Sequence, residues 1–189
     1  MRRQWMVVGL VLAGLGLGIW ALLQFGPEGG PVQPGSRAPD FRAFNINTGD
    51  SVSLSDYRGR VTLVNIWATW CGPCRAEMPS MQRAYARLRD RGFAIAAVSI
   101  DEGSVDEVRG FQRELGLTFD ILHDRSGRIQ QVYQTTGVPE SFLLDRKGVI
   151  VKRLIGDHDW ASDANIAQIE RLLGDETAAA DLPSDRTGS

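Results

Sequence analysis

The chain has 189 residues, 43% of them hydrophobic and 23% charged, which suits one well-filled domain and excludes a globally disordered chain. Its 21 Lys and Arg stand against 23 Asp and Glu, a net charge of −2, so the basic face that nucleic-acid binding requires is missing and no nucleic-acid partner is expected. Two cysteines and two histidines are too few for a disulfide scaffold, and a four-ligand zinc site would consume them all.

No charged residue lies between Arg3 and Glu28. The apolar run from Trp5 to Phe25 is long enough to cross the ~30 Å hydrocarbon core as a helix. Trp5 and Trp20 fall where interfacial aromatic belts lie, and Arg2 and Arg3 hold the N-terminus in the cytoplasm. Residues 1–25 are therefore expected to form a transmembrane signal-anchor, with everything after it on the extracytoplasmic side. The competing reading is a cleaved signal peptide. Such a peptide has a shorter apolar region, ~7–15 residues, ending in small residues; Trp20-Ala21-Leu22-Leu23-Gln24-Phe25 offers no such site. Residues 26–35 are rich in Gly and Pro and read as a linker. A globular domain is expected over 36–174. Residues 175–189, with Ala178-Ala179-Ala180 and Pro183, have no core-forming period and read as a disordered tail.

Within the domain, Phe41 to Leu54 has hairpin character around Asn47-Thr48-Gly49-Asp50. Val61 to Trp67 is nearly all apolar and β-branched, the pattern of a strand buried on both faces. A helix is expected from about Cys71 to Arg91, because Met78, Met81, Tyr85 and Leu88 recur every three or four residues. Phe93 to Ile100 reads as a second buried strand. Val105, Val108, Phe111 and Leu115 mark a second helix ending at Gly116, and Phe119 to Leu122 a short strand. A short helix over Gly127 to Tyr133 follows. Ser141 to Asp145 and Val149 to Ile155 flank a hairpin turn in which Gly148 takes positive φ. Ile166, Ile169 and Leu172 mark a last helix capped by Ser162. Strands alternating with helices give an α/β sheet covered on both faces.

Chemistry concentrates at Trp70-Cys71-Gly72-Pro73-Cys74, where a buried strand hands over to a helix, and these are the chain's two cysteines. Two residues between thiols at a helix start allow a disulfide. Free backbone N–H groups and the helix dipole stabilise a thiolate on the first cysteine. Pro73 suits the first helical turn, where a missing N–H costs nothing. Cys71 is therefore expected to be the nucleophile and Cys74 the shielded resolving thiol. The alternative is an inert buried pair or half of a zinc site; His123 and His158 stand in no ligand spacing that would complete one.

These residues, with Arg75, Glu77 and Pro79 behind them, resemble the thioredoxin superfamily, and more closely the membrane-anchored TlpA/ResA/CcmG group of extracytoplasmic thiol–disulfide oxidoreductases. Ala38-Pro39-Asp40-Phe41, Leu54-Ser55-Asp56-Tyr57-Arg58-Gly59, Asn65-Ile66-Trp67-Ala68-Thr69-Trp70 and Gly137-Val138-Pro139-Glu140-Ser141-Phe142 match the group's motifs over about Ala38 to Leu173. The resemblance implies a thioredoxin-like α/β fold with an added N-terminal β-hairpin and a central insertion at Ser104 to Val132. It implies a cis peptide at Pro139, with Val138 offering its backbone to an extended substrate. The substrate-facing surface then comprises Trp70, Gly72, Pro73, Val138 and Pro139. Glu140 faces either the site or water.

Cytoplasmic thioredoxins carry a buried Asp beneath the second cysteine; the matching residue here is Asn65, which takes no proton. Glu77 lies three residues after Cys74, on the same side of the helix. The group commonly has Glu there, and the resemblance assigns it acid–base work; a solvated helix carboxylate is the plainer alternative. The Gly-Pro pair matches thioredoxin itself, whose potential is near ~−270 mV against ~−120 mV for a strong periplasmic oxidant. The resemblance therefore implies a reductase of exported proteins, with no cofactor and no metal. It draws electrons from a membrane thiol transporter of the CcdA/DsbD type. Apocytochrome c and copper-site cysteines of cytochrome oxidase are the implied clients, in cytochrome c-type biogenesis or oxidase assembly. A thiol peroxidase, which would need Pro-x-x-x-Thr/Ser-x-x-Cys where Val64 and Ala68 stand, and a redox-linked metallochaperone are the competing classes.

Overall fold

A computed structural model describes residues 14–17 and 30–174. Residues 14–17 are helical, and among the described residues no helix is long and apolar enough to cross a membrane. The expected signal-anchor lies outside the described residues except for those four, as do residues 26–29 of the linker and the whole 175–189 tail.

The domain contains strands β1 (Arg42–Asn45), β2 (Ser51–Ser53), β3 (Val61–Trp67), β4 (Phe93–Ser99), β5 (Asp120–His123), β6 (Glu140–Leu144) and β7 (Ile150–Ile155). Its helices are α1 (Gly72–Leu88), α2 (Val105–Leu115), α3 (Arg128–Val132) and α4 (Asp163–Gly174). The strands form one sheet in the order β2-β1-β5-β4-β3-β6-β7. β3, β4 and β5 run parallel in the middle, and the pairs β1–β2, β1–β5, β3–β6 and β6–β7 are antiparallel. Segment Ser104 to Val132 supplies α2, β5 and α3, and β5 joins the hairpin β1–β2 to the central strands.

β3 and β4 are buried along their whole lengths, as expected of parallel strands covered on both faces. One core gathers Leu63, Ile95, Ala97 and Leu143 from the sheet with Met78, Met81 and Leu88 of α1, Val108 and Phe111 of α2, and Ile166, Ile169 and Leu173 of α4. The opposite core packs Val64, Ile66, Val98 and Phe142 against Phe41, Tyr57, Ile129 and Tyr133. Three helices thus cover one face. The shorter α3 and the chain around Val32 to Phe41 cover the other.

Boundaries differ from the sequence reading in two informative places. The first helix stops at Leu88; a 3₁₀ turn over Arg89–Arg91 follows, and Gly92 at φ 96° turns the chain into β4. The last hairpin begins one residue early, at Glu140, because Glu140 pairs with Ile66 of β3 and Ile155 of β7. Gly148, at φ 78°, holds the expected position in that hairpin's turn.

Candidate active site

β3 delivers the chain to the C-terminal end of the sheet, where α1 begins. Cys71 is the N-cap residue of α1, with extended backbone dihedrals. The Cys74 backbone N–H donates to Cys71 Sγ at 3.1 Å. A helix-terminal N–H aimed at sulfur, with no acidic residue in the first turn, is the electrostatic setting that favours a thiolate. Pro73 lies in that first turn. Cys71 and Cys74 form a disulfide. Cys71 retains 5% of its surface and Cys74 none, so only the first sulfur offers an approach from solvent.

The loop before the cysteines is anchored from β4. The carboxylate of Asp101, itself buried, accepts the Thr69 backbone N–H at 3.0 Å, the Thr69 hydroxyl at 2.6 Å and the Ser99 hydroxyl at 2.6 Å. His123 Nε2 lies 2.7 Å from the Asp101 carbonyl oxygen, tying β5 into the same cluster. Trp70, held between this anchor and the disulfide, is 70% exposed.

The Val138–Pro139 peptide is cis. The Val138 carbonyl oxygen lies 3.6 Å from Cys71 Sγ, so main chain rather than a side chain stands beside that sulfur. Cys71 and Val138 meet at one sulfur, with Trp70 and Pro139 next to them in the chain, and Gly72 and Pro73 open α1.

Glu140 faces neither the site nor water. As a strand residue it is 0% exposed and pairs with Arg153 across the β6–β7 hairpin. Arg153 also donates to the carbonyls of Val32 and Gln134, at 2.8 and 3.0 Å, and Glu140 Oε2 accepts the Thr136 backbone N–H. The pair therefore clamps the segment leading to the cis peptide. Arg153→Met is expected to destabilise the fold by about 3 kcal/mol, because it strands a buried carboxylate without its cation. Urea denaturation checks this; an unchanged midpoint would mean that the Glu140–Arg153 pair contributes nothing to stability.

Glu77 and Cys74 both belong to the buried face of α1. Glu77 is 2% exposed, which removes the reading of a solvated helix carboxylate. Its Oε1 accepts Asn65 Nδ2–H at 2.7 Å, and its Oε2 lies 3.4 Å from the His158 backbone N–H. The second Nδ2 hydrogen of Asn65 goes to Ser141 Oγ at 2.9 Å, across the Asn65–Ser141 register of β3 and β6. Burial pushes the Glu77 carboxyl up to about 7, against the opposing pull of the Asn65 and His158 donors and the Trp160 indole. That indole N–H falls short of hydrogen-bond geometry, so its pull on the carboxylate is through its dipole alone. A carboxyl that changes charge near neutral pH on the resolving cysteine's side of the helix can hold or release that cysteine's proton.

Asn65, Ser80, Asp101, His158 and Trp160 are neighbours of the site whose roles sequence reasoning does not reach. One usable signal is present for Asn65, a single amide in an otherwise apolar buried strand. Another is the polar pair Ser99 and Asp101 at the C-terminal end of β4. Strand ends on this side of a parallel sheet are where α/β sites form.

Residues 34–153 match the model of the AhpC/TSA family. The chain belongs to that family. A thiol-disulfide oxidoreductase ResA of Geobacillus thermodenitrificans is 38% identical over 147 residues, covering 78% of this chain and 82% of the relative. The thioredoxin-like protein YneN of Bacillus subtilis is 37% identical over 153 residues, 79% of this chain and 88% of its own. A Chlorobium tepidum structure described as a putative thiol:disulfide interchange protein DsbE superposes with a TM-score of 0.69 at 34% identity, over 75% of this chain and 99% of that one. StoA of Bacillus subtilis gives 0.57 at 27% identity, over 74% and 98%. This AhpC/TSA member is a thioredoxin-like thiol–disulfide oxidoreductase, and the Cys71–Cys74 pair is the dithiol that its fold presents. Val64 and Ala68, where a peroxidase motif would need Pro and a hydroxyl, are fully buried and apolar. Among the described residues no group of three or more His, Cys, Asp and Glu side chains converges as a metal site.

Proposed function

We propose that this oxidoreductase works as a reductase of disulfides in exported proteins, with its domain held at the outer face of the cytoplasmic membrane. The observation that carries the reading is the arrangement around Cys71: a sulfur capped by a helix N–H, beside the Val138 carbonyl, with Cys74 and Glu77 shielded behind it. The Gly72-Pro73 pair between the cysteines supports the reducing direction, as in thioredoxin. The apolar run Trp5 to Phe25 with arginines on its N-terminal side alone supports the location.

Reduction in an oxidising compartment needs imported electrons. A membrane thiol transporter of the CcdA/DsbD type is the fitting donor, and apocytochrome c or copper-site cysteines of cytochrome oxidase are the fitting clients. The deciding measurement is the equilibrium potential of the Cys71–Cys74 couple in glutathione or dithiothreitol buffers. A value nearer ~−270 mV than ~−120 mV is expected; one at the oxidising end would make the protein an oxidase.

The anchor carries its own expected result. Intact-mass measurement of the membrane fraction should find the chain with Trp5 to Phe25 retained. A mature N-terminus near Gly26 would mean that the segment is a cleaved leader.

A further inference from the structure

α1 carries a second polar residue on its buried face, beyond Cys74 and three residues after Glu77. Ser80 is 5% exposed, and Pro79 before it removes the N–H that would have bonded to the Arg75 carbonyl. The Ser80 hydroxyl lies 2.7 Å from the Glu77 carbonyl oxygen and 3.1 Å from the His158 carbonyl oxygen, and it accepts the Trp160 backbone N–H at 3.0 Å. One hydroxyl thus engages both α1 and the loop that joins β7 to α4. That loop passes over Glu77, placing the His158 N–H toward Glu77 Oε2 and burying the Trp160 ring to 1% exposure.

We propose that Ser80 is a positioning residue for the proton chemistry of the site: it pins the Gly156–Trp160 loop over the Glu77 carboxylate, so that the loop rather than solvent surrounds it. The inference deepens the acid–base role proposed for Glu77 and rests on it for its catalytic consequence, though not for its structural one.

The groups facing Glu77 set the sign of the effect. Asn65 from β3 is neutral, as is its own partner Ser141 from β6, and neither hydrogen bond involves Ser80. Cys74, on the same buried face of α1, is held in the disulfide and carries no titrating proton in the oxidised protein. From the loop, Asp157 opposes ionisation of Glu77 and the His158 N–H favours it. His158 Nδ1 is engaged 3.0 Å from the Gly156 carbonyl oxygen, and Asp159 faces Arg83 on the surface at 3.6 Å. Releasing the loop removes burial and the Asp157 charge, which raise the Glu77 carboxyl, and the His158 and Trp160 donors, which lower it. Burial is the largest of these, so release favours ionisation.

The experiment is a ¹³C titration of the Glu77 side-chain carboxyl in the oxidised full chain, wild type against Ser80→Ala. The midpoint is expected to move toward acid by about one pH unit or more, and the pH profile of mixed-disulfide resolution by the same amount. In a Glu77→Gln background, Ser80→Ala should leave that profile unmoved. An unchanged Glu77 midpoint in Ser80→Ala would overturn the proposal. So would rapid amide hydrogen exchange at Trp160 in the wild-type protein, a measurement that needs no variant to fold. If Glu77→Gln alone left resolution unaffected, the base role would fail while the shifted midpoint still showed the pin.

Discussion

Cys71→Ser is expected to abolish disulfide exchange, and Cys74→Ser to leave a protein that attacks once and stays attached. The Cys71 thiolate attacks one sulfur of a client disulfide. The client's S–S bond breaks, a mixed disulfide forms, and the departing client sulfur takes up a proton. Cys74, as thiolate, then attacks Cys71 Sγ, re-forming the observed Cys71–Cys74 bond and releasing the second client sulfur. The client gains two electrons and two protons, and the dithiol loses them. With Cys71 changed, the exposed sulfur is gone and the remaining one has no surface, so turnover should fall to the uncatalysed background. With Cys74 changed, the first step survives and the second has no nucleophile. Alkylation of the reduced native domain checks the assignment independently. Iodoacetamide at neutral pH should modify Cys71 first, because it combines solvent access with a helix-terminal donor. Faster labelling of Cys74 would reverse the two roles.

The placement of those sulfurs, one at the N-cap and one inside the helix, is legible in the sequence, because it depends on local order: a buried strand, a turn, a helix start. The same holds for β3, β4 and the hairpin turn at Gly148, where run length, β-branching and a single glycine decide the outcome. Glu140 shows where such reading stops. Its neighbours in sequence are a cis proline and a strand, and whether it faces the site or water depends on which strands flank β6. Only the register with Ile66 and Ile155 seals it, and only Arg153, thirteen residues away, makes a sealed carboxylate tolerable. Trp160 and His158 escape sequence reading for a related reason. They stand in a loop without periodicity, and their contacts with α1 span about 80 residues of chain. In the sequence Asn65 stands out because it does not titrate, whereas its use is as an N–H donor to the Glu77 carboxyl, which does. Periodicity identifies which residues are buried; which polar groups meet in the interior is set by sheet order.

Glu77→Gln is expected to slow resolution of the mixed disulfide by roughly 10²-fold, the range of a well-placed general base. Burial makes ionisation of the Cys74 thiol costly, since charge is disfavoured without solvent, and resolution needs its thiolate. Glu77 is the titratable group that shares its buried helix face, and Asn65 favours the ionised carboxylate by donating to it. With the carboxyl raised to about 7, it is partly ionised and partly protonated near neutral pH. The resolution rate should therefore climb through that region and level off above it. The two groups interact, so the midpoints belong to the pair. Glu77→Gln should lose this limb and climb only at the higher pH where Cys74 ionises unaided, while the first attack by Cys71 changes little. Stopped-flow resolution of a preformed mixed disulfide across pH tests both statements, and superimposable curves for the two proteins would return Glu77 to a packing role. Stability gives a second readout with a definite sign. A carboxyl at 4.5 when unfolded and about 7 when folded keeps its proton longer in the native state. The native form then binds more protons than the unfolded one between those values, and stability falls as pH rises through the window. The loss is of order 3 kcal/mol by about pH 8. Glu77→Gln, which carries no charge to bury, should show a flatter urea midpoint from about pH 4.5 to 8 and should be the more stable protein at the upper end. The wild-type protein thus sacrifices stability at the pH where its base is ionised, which is the state that resolution of the mixed disulfide requires.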